Sequence, residues 1–153
     1  MGVRYGLLAI LGLGALLRLA FVLGWQPALF GWPDAASYID VSQSGLFENH
    51  LRPAGYPVFL RALHMLAPSL ILVIVVQHLM GLATAALLYL TVARTGAPRL
   101  LGLVPAAIVA LGGDTIFLEH APISEGLFMF LVALALYAGV RASAEGALRW
   151  ALA

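Results

Sequence analysis

Apolar runs as long as a bilayer is thick set the first constraint on this chain. They extend from about Tyr5 to Trp25, from Ala67 to Ala93 and from about Ile123 to Val140, each near or above the ~18 residues that mark a membrane span. At ~1.5 Å of helical rise per residue, ~20 residues match a hydrocarbon core of ~30 Å. A water-soluble globule is excluded, because 63% of the 153 residues are hydrophobic and 10% are charged, against about 25% charged in an average soluble domain. With the charges confined between the runs, the chain reads as a polytopic membrane protein. A net charge of +1 with no lysine offers no basic stripe, so nucleic acid is not a partner. The absence of cysteine excludes disulfides, thiolate catalysis and Cys-ligated metals.

The fold expected is an all-α membrane protein, a single membrane domain over 1–153 with four transmembrane helices and a long external first loop containing short interfacial helices. The first span covers about 5–25, interrupted by Arg18. A cleaved signal peptide is its competing reading, because Arg4 precedes the apolar stretch, but the run is long for an h-region. The external loop is 26–66. The second span, about 67–93, holds Gln77 and His78 as its strongly polar residues and is long enough to tilt. Gly81 and Ala85, four apart within it, match a small-residue packing face. A third span, about 99–113, contains Pro105, which can kink it where neighbouring helices resatisfy the backbone. An external turn follows at 114–122, then a fourth span at about 123–141 and a cytoplasmic tail at 142–153.

Orientation follows from arginine counting, since short cytoplasmic loops hold an excess of basic residues. Arg4, Arg94, Arg99, Arg141 and Arg149 fall on the face shared by the termini, against Arg52 and Arg61 on the other, so both termini are expected in the cytoplasm. Asp34, Asp40, Glu48, Asp114, Glu119 and Glu125 then lie on or near the external face, and Glu145 lies inside. Any chemistry is expected outside. The internal connection Thr95-Gly96-Ala97-Pro98 is a minimal hairpin, whereas the first external segment, at about 40 residues, far exceeds the usual helix connection.

Within that segment Trp32-Pro33-Asp34 reads as a helix start, with Pro in the first turn, an acid suited to the dipole and Gly45 as a stop, giving a helix from about Pro33 to Ser44. Asp34 and Tyr38 share one of its faces, while Asp40 lies about 240° away. Next, Asn49-His50-Leu51-Arg52-Pro53-Ala54-Gly55-Tyr56-Pro57 forces an irregular turn. From Pro57 to Leu66 an amphipathic helix is expected in the headgroup interface, with Arg61 and His64 on one side. The histidines His50, His64, His78 and His120 are too scattered to argue a metal cluster.

These residues, taken in order, resemble a known family. Arg18-Leu19 late in the first helix, Asp34 with Tyr38, then Arg52-Pro53-Ala54-Gly55-Tyr56-Pro57, then Ser124-Glu125 opening a later span resemble the GT-C superfamily of polyprenyl-phosphate-sugar glycosyltransferases, in its protein-mannosyltransferase and aminoarabinose-transferase branch. The resemblance implies transfer of a sugar from a polyprenyl-phosphate donor to an acceptor hydroxyl, with inversion, on the external face of a bacterial inner membrane. It implies Asp34 as general base and Glu125, or failing that Glu119, as the second acidic site, positioning the acceptor or a divalent metal; no other cofactor is implied. Arg52 would bind the donor phosphate, Tyr38 would share the donor side, and Tyr56 or Trp32 would stack on a sugar face. Where the family often carries a second acid directly after the first, Ala35 stands here, which weakens a metal role at that point. The family's membrane core has more spans than four, so further transmembrane segments or a partner chain are expected to complete it.

Simpler readings of the same residues stand beside these. Arg18, within about 10 Å of its helix end, can snorkel to the surface rather than orient a phosphate. Asp34 can be a plain helix-start acid, Arg52 an anchor to lipid phosphates, and Ser124-Glu125 a helix-start pair. The alternative function is a non-catalytic small membrane protein that binds polyprenyl lipid or partner helices.

Overall fold

The computed structural model describes residues 2–47 and 52–144, and among these every regular element is helical. In chain order they are α1 Gly2–Gly24, α2 Pro33–Gln43, α3 Gly55–Leu66, α4 Leu70–Arg94, α5 Leu103–Leu111, α6 Gly113–Glu119 and α7 Glu125–Ala144, with a 3-10 turn at Arg99–Gly102 leading into α5. The acid Glu48, the Asn49-His50-Leu51 part of the irregular turn, and Glu145 and Arg149 of the tail lie outside the described residues.

α1, α4 and α7 are long and apolar enough to cross a membrane. The pair formed by Arg99–Leu111 and Gly113–Glu119 is also long and apolar enough if taken as one span, bent by 51°, so the described residues hold three candidate crossings, or four with the bent pair. α4 sits at the centre, in contact with α1, α5, α6 and α7. Where it meets α5, the buried Ala85, Ala106 and Ala110 let the backbones approach closely, with Tyr89 and Val109 filling the remaining space. Leu8, Leu16 and Leu23 of α1, Ile108 of α5 and Phe128 and Leu131 of α7 point outward. So much exposed apolar side chain suits a bilayer and not water.

The third crossing departs most from expectation. Instead of a helix over 99–113 followed by an external turn over 114–122, the chain breaks at Gly112 and residues 113–119 are helical. Pro105 does not cause the break, since it lies in the first turn of α5, where a missing N–H removes no helical bond. At Gly112 the backbone is extended, and a Cβ there would stand 2.4 Å from the Ile108 carbonyl oxygen that the Gly112 N–H bonds, so only glycine fits the bend. The bend turns α6 back toward α4 and carries Glu119 into the bundle interior.

α2 begins as its sequence dictates, with Pro33 at the first position and Asp34 in the first turn. α3 starts at Gly55, two residues ahead of expectation, with Pro57 still inside the first turn. Arg61 of α3 donates to the carbonyl oxygens of Ser42 at 2.6 Å and Ser44 at 2.5 Å, satisfying groups at the C-terminal end of α2 and fixing the two helices together. Tyr38, Tyr56, Leu60 and Val73 form the small core beneath them. On the outer side of α3, Val58, Met65 and Leu66 are exposed, as a helix resting in the headgroup layer requires.

Candidate functional site

Two polar clusters lie at the α2 and α3 end of the bundle. The first is open. One turn of α2 places Asp34 and Tyr38 on a common face, and Arg52, just ahead of α3, reaches across it. Its Nη2 is ion-paired with Asp34 Oδ1, its Nε donates to Ser37 Oγ at 3.4 Å, and its guanidinium carbon lies 5.3 Å from the centre of the Tyr38 ring. The Tyr38 hydroxyl is 3.3 Å from Ser124 Oγ, which donates to Glu125 at 3.5 Å where α7 begins. Asp34 is 46% and Arg52 26% exposed, so the pair faces solvent and contributes at most about 1 kcal/mol to stability.

Tyr56 forms the inner wall. Its ring packs edge-on against Tyr38 at 5.0 Å and beside Phe59 at 5.7 Å, and its hydroxyl donates to Gln77 Oε1 at 2.5 Å. Burial, then the nearby Glu125 carboxylate and Tyr38, pushes the phenol well above its usual range, so it stays a donor. Five residues singled out from sequence, Asp34, Tyr38, Arg52, Tyr56 and Glu125, therefore meet, although they come from separate segments. Two differences concern stacking: Tyr56 is enclosed by its aromatic neighbours, and Trp32 packs edge-on against Phe117 at 5.2 Å, so neither ring lies open beside the acid. Asp40 is exposed on another face of α2, as its spacing required.

Glu119 belongs to the second cluster, which is closed. Arg18 does not snorkel: it is 2% exposed, as is Glu119, and the two form a bidentate pair, Nε to Oε2 and Nη2 to Oε1, both at 2.8 Å. The guanidinium also donates to the carbonyls of Gly14 at 3.1 Å and Ala110 at 2.6 Å. A charge in hydrocarbon is costly, so burial with a partner and satisfied donors replaces the reach for water that an isolated arginine would need. The chain of contacts continues from Glu119 Oε2 to His78 Nδ1 at 2.9 Å, from His78 Nε2 to His120 Nδ1 at 3.0 Å, and from His120 Nε2 to the Trp25 carbonyl at 2.7 Å. Gln77 donates to the carbonyls of Glu119 and Ala121, both at 2.7 Å, which holds the turn before α7 against α4.

Gly81 makes this arrangement possible, because a Cβ there would stand 1.8 Å from Glu119 Oε1. The carboxylate cannot swing aside, being fixed by Arg18 and His78. Gly81→Ala is therefore expected to lower stability by about 1–3 kcal/mol, read as a lowered unfolding midpoint of the purified protein in mild detergent. The sequence reading assigned Gly81 only to helix packing and missed the network of Arg18, Gln77, His78 and His120. The available signal was the rarity of such residues inside apolar runs, where each needs a named partner.

Among the described residues no group of three or more His, Asp or Glu side chains is arranged to hold a metal ion. No protein-family model matches the chain, and no curated protein or solved structure matches it either. What the fold establishes is a class: among the described residues an all-helical protein, with three helices long and apolar enough to span a membrane around an enclosed ionic network.

Proposed function

We propose that this chain forms the front part of an integral-membrane glycosyltransferase that moves a sugar from a polyprenyl-phosphate donor to an acceptor hydroxyl. The observation that carries this reading is the meeting of a half-open acid, an arginine and a second acid at one place, from α2, the segment before α3 and the start of α7. In the proposed step the donor phosphate takes the Arg52 fork from Asp34. The freed carboxylate accepts the proton of the acceptor hydroxyl as its oxygen bonds the anomeric carbon from the opposite face. The bond from that carbon to the phosphate oxygen breaks, and polyprenyl phosphate leaves with the electron pair, its charge held by Arg52. Glu125 orients the acceptor, or a divalent metal if one is used.

In this reading the cluster faces outward from a bacterial inner membrane, the bent α5 and α6 pair counts as one of four crossings, and both termini are cytoplasmic. Arg4, Arg94, Arg99 and Arg141 lie at the ends of helices remote from the cluster, the asymmetry expected of a cytoplasmic face. Further transmembrane segments or a partner chain complete the donor cavity.

A second reading, a non-catalytic module that binds polyprenyl lipid or partner helices, is favoured by one feature. Between α1 and α4 a groove of about 190 Å³ is walled by Leu19, Val22, Val75, Leu79 and Leu82, with Arg18 and His78 at its floor. Labelled polyprenyl-phosphate sugar added to native membranes together with acceptor separates the two. The transferase reading expects release of sugar-free polyprenyl phosphate; retention of the donor unchanged would establish the binding module instead.

A further inference from the structure

At the opposite end of the bundle from the acidic clusters lies a cavity of about 320 Å³ lined by Val3, Arg4, Tyr89 and Arg99. Its residues come from the first turn of α1, the last turns of α4 and the start of the 3-10 turn, so three separate segments converge on it. Arg4 and Arg99 both reach the cavity, and neither forms an ion pair, hydrogen bond or ring contact with any described residue. Tyr89 is 6% exposed as a residue, and its hydroxyl, which has no hydrogen-bond partner among the described residues, is not sealed in the interior. The described carboxylates, Asp34, Asp40, Asp114, Glu119 and Glu125, sit on α2, α6 or the first residue of α7, at the far end. Two guanidinium groups and a phenol hydroxyl, none with a polar partner among the described residues, thus face one space with no described carboxylate beside it.

We infer that this cavity binds the phosphate of an anionic phospholipid headgroup, with Arg4 and Arg99 supplying charge-assisted hydrogen bonds and Tyr89 a third donor. The headgroup phosphodiester carries one negative charge shared over two non-bridging oxygens, one for each cation, and guanidinium groups suit phosphate oxygens through their planar fork of donors. The depth also fits, because the cavity opens at the ends of α1, α4 and the bent crossing, where headgroups lie and where tyrosine and arginine anchor membrane proteins. Neighbouring arginines differ in kind: Arg94, at the same end, is engaged over the Tyr137 ring at 5.3 Å and does not line this cavity. The site is independent of the transferase reading.

Retention of phosphatidylglycerol and of phosphatidylcholine by the full chain in detergent micelles, followed by native mass spectrometry, tests this. The wild-type protein is expected to retain phosphatidylglycerol in preference. The Arg4→Gln/Arg99→Gln variant, altered at two exposed positions that support no packing, is expected to lose about 10-fold or more in apparent affinity, and Tyr89→Phe about fivefold. Arg94→Gln is expected to behave as wild type. Equal retention by the double variant, or an equal loss in Arg94→Gln, would overturn the site in favour of a diffuse positive surface. Displacement of the lipid by inorganic phosphate at matched concentration would overturn the lipid source and assign the cavity to a free phosphate.

Discussion

Glu119→Ala is expected to lower the unfolding free energy by about 3–5 kcal/mol, the cost of leaving one charge of a buried pair without its partner. The carboxylate holds Arg18 through two 2.8 Å bonds and accepts a third from His78, and Arg18 is buried at the level where α1, α5 and α6 meet α4. Removing the Glu119 carboxylate strands the guanidinium among carbonyls and opens a void beside Gly81, while the turn before α7 keeps its backbone bonds to Gln77. Denaturant titration of the purified protein in mild detergent measures the effect. The pair also predicts non-additivity: Arg18→Leu with Glu119→Leu should cost less than the sum of the two single changes, because no unpaired charge remains. A loss below about 1 kcal/mol in Glu119→Ala would mean that the pair is solvated and the closed network is not a structural core.

Asp34→Asn, by contrast, is expected to leave stability within about 1 kcal/mol of wild type and to reduce sugar transfer by about 10²–10⁴-fold, the usual contribution of a general base. The two effects separate because the Asp34 side chain is 46% exposed and its pairing with Arg52 supports no buried group. Asparagine keeps the shape and one hydrogen bond to Arg52, so donor binding should persist while the proton acceptor is gone. The reduction should appear in kcat rather than in donor KM. A parallel fall in both would assign Asp34 to donor binding instead.

The apolar runs set α1, α4 and α7 before any coordinates, because length and hydropathy leave a ~20-residue segment few other fates in a bilayer. Helix-start chemistry at Pro33 and Asp34, with Gly45 as the stop, placed α2 within a residue at each end. Of the open cluster, spacing alone showed that Asp34 and Tyr38 share a helical face, whereas Arg52, Tyr56 and Glu125 were joined to them only by the family resemblance. The bend at Gly112 was not legible. It admits only glycine, since a Cβ would stand 2.4 Å from a carbonyl oxygen, and nothing in periodicity distinguishes that glycine from Gly113 beside it. The closed network was hidden because its members come from three segments, Arg18 on α1, His78 on α4 and the adjacent Glu119 and His120 at the end of α6. Arg18 was read as able to snorkel, Glu119 as a fallback for the second acidic site and the histidines as scattered, and it took α6 turning inward to show that they share one interior.

The most direct measurement places wild-type and Asp34→Asn membranes side by side with saturating labelled polyprenyl-phosphate sugar and acceptor, and reads both bound donor and released polyprenyl phosphate. A transfer site built on Asp34 predicts equal donor binding in the two samples and release from the wild type alone. Equal release from both, or donor held intact by both, would contradict it.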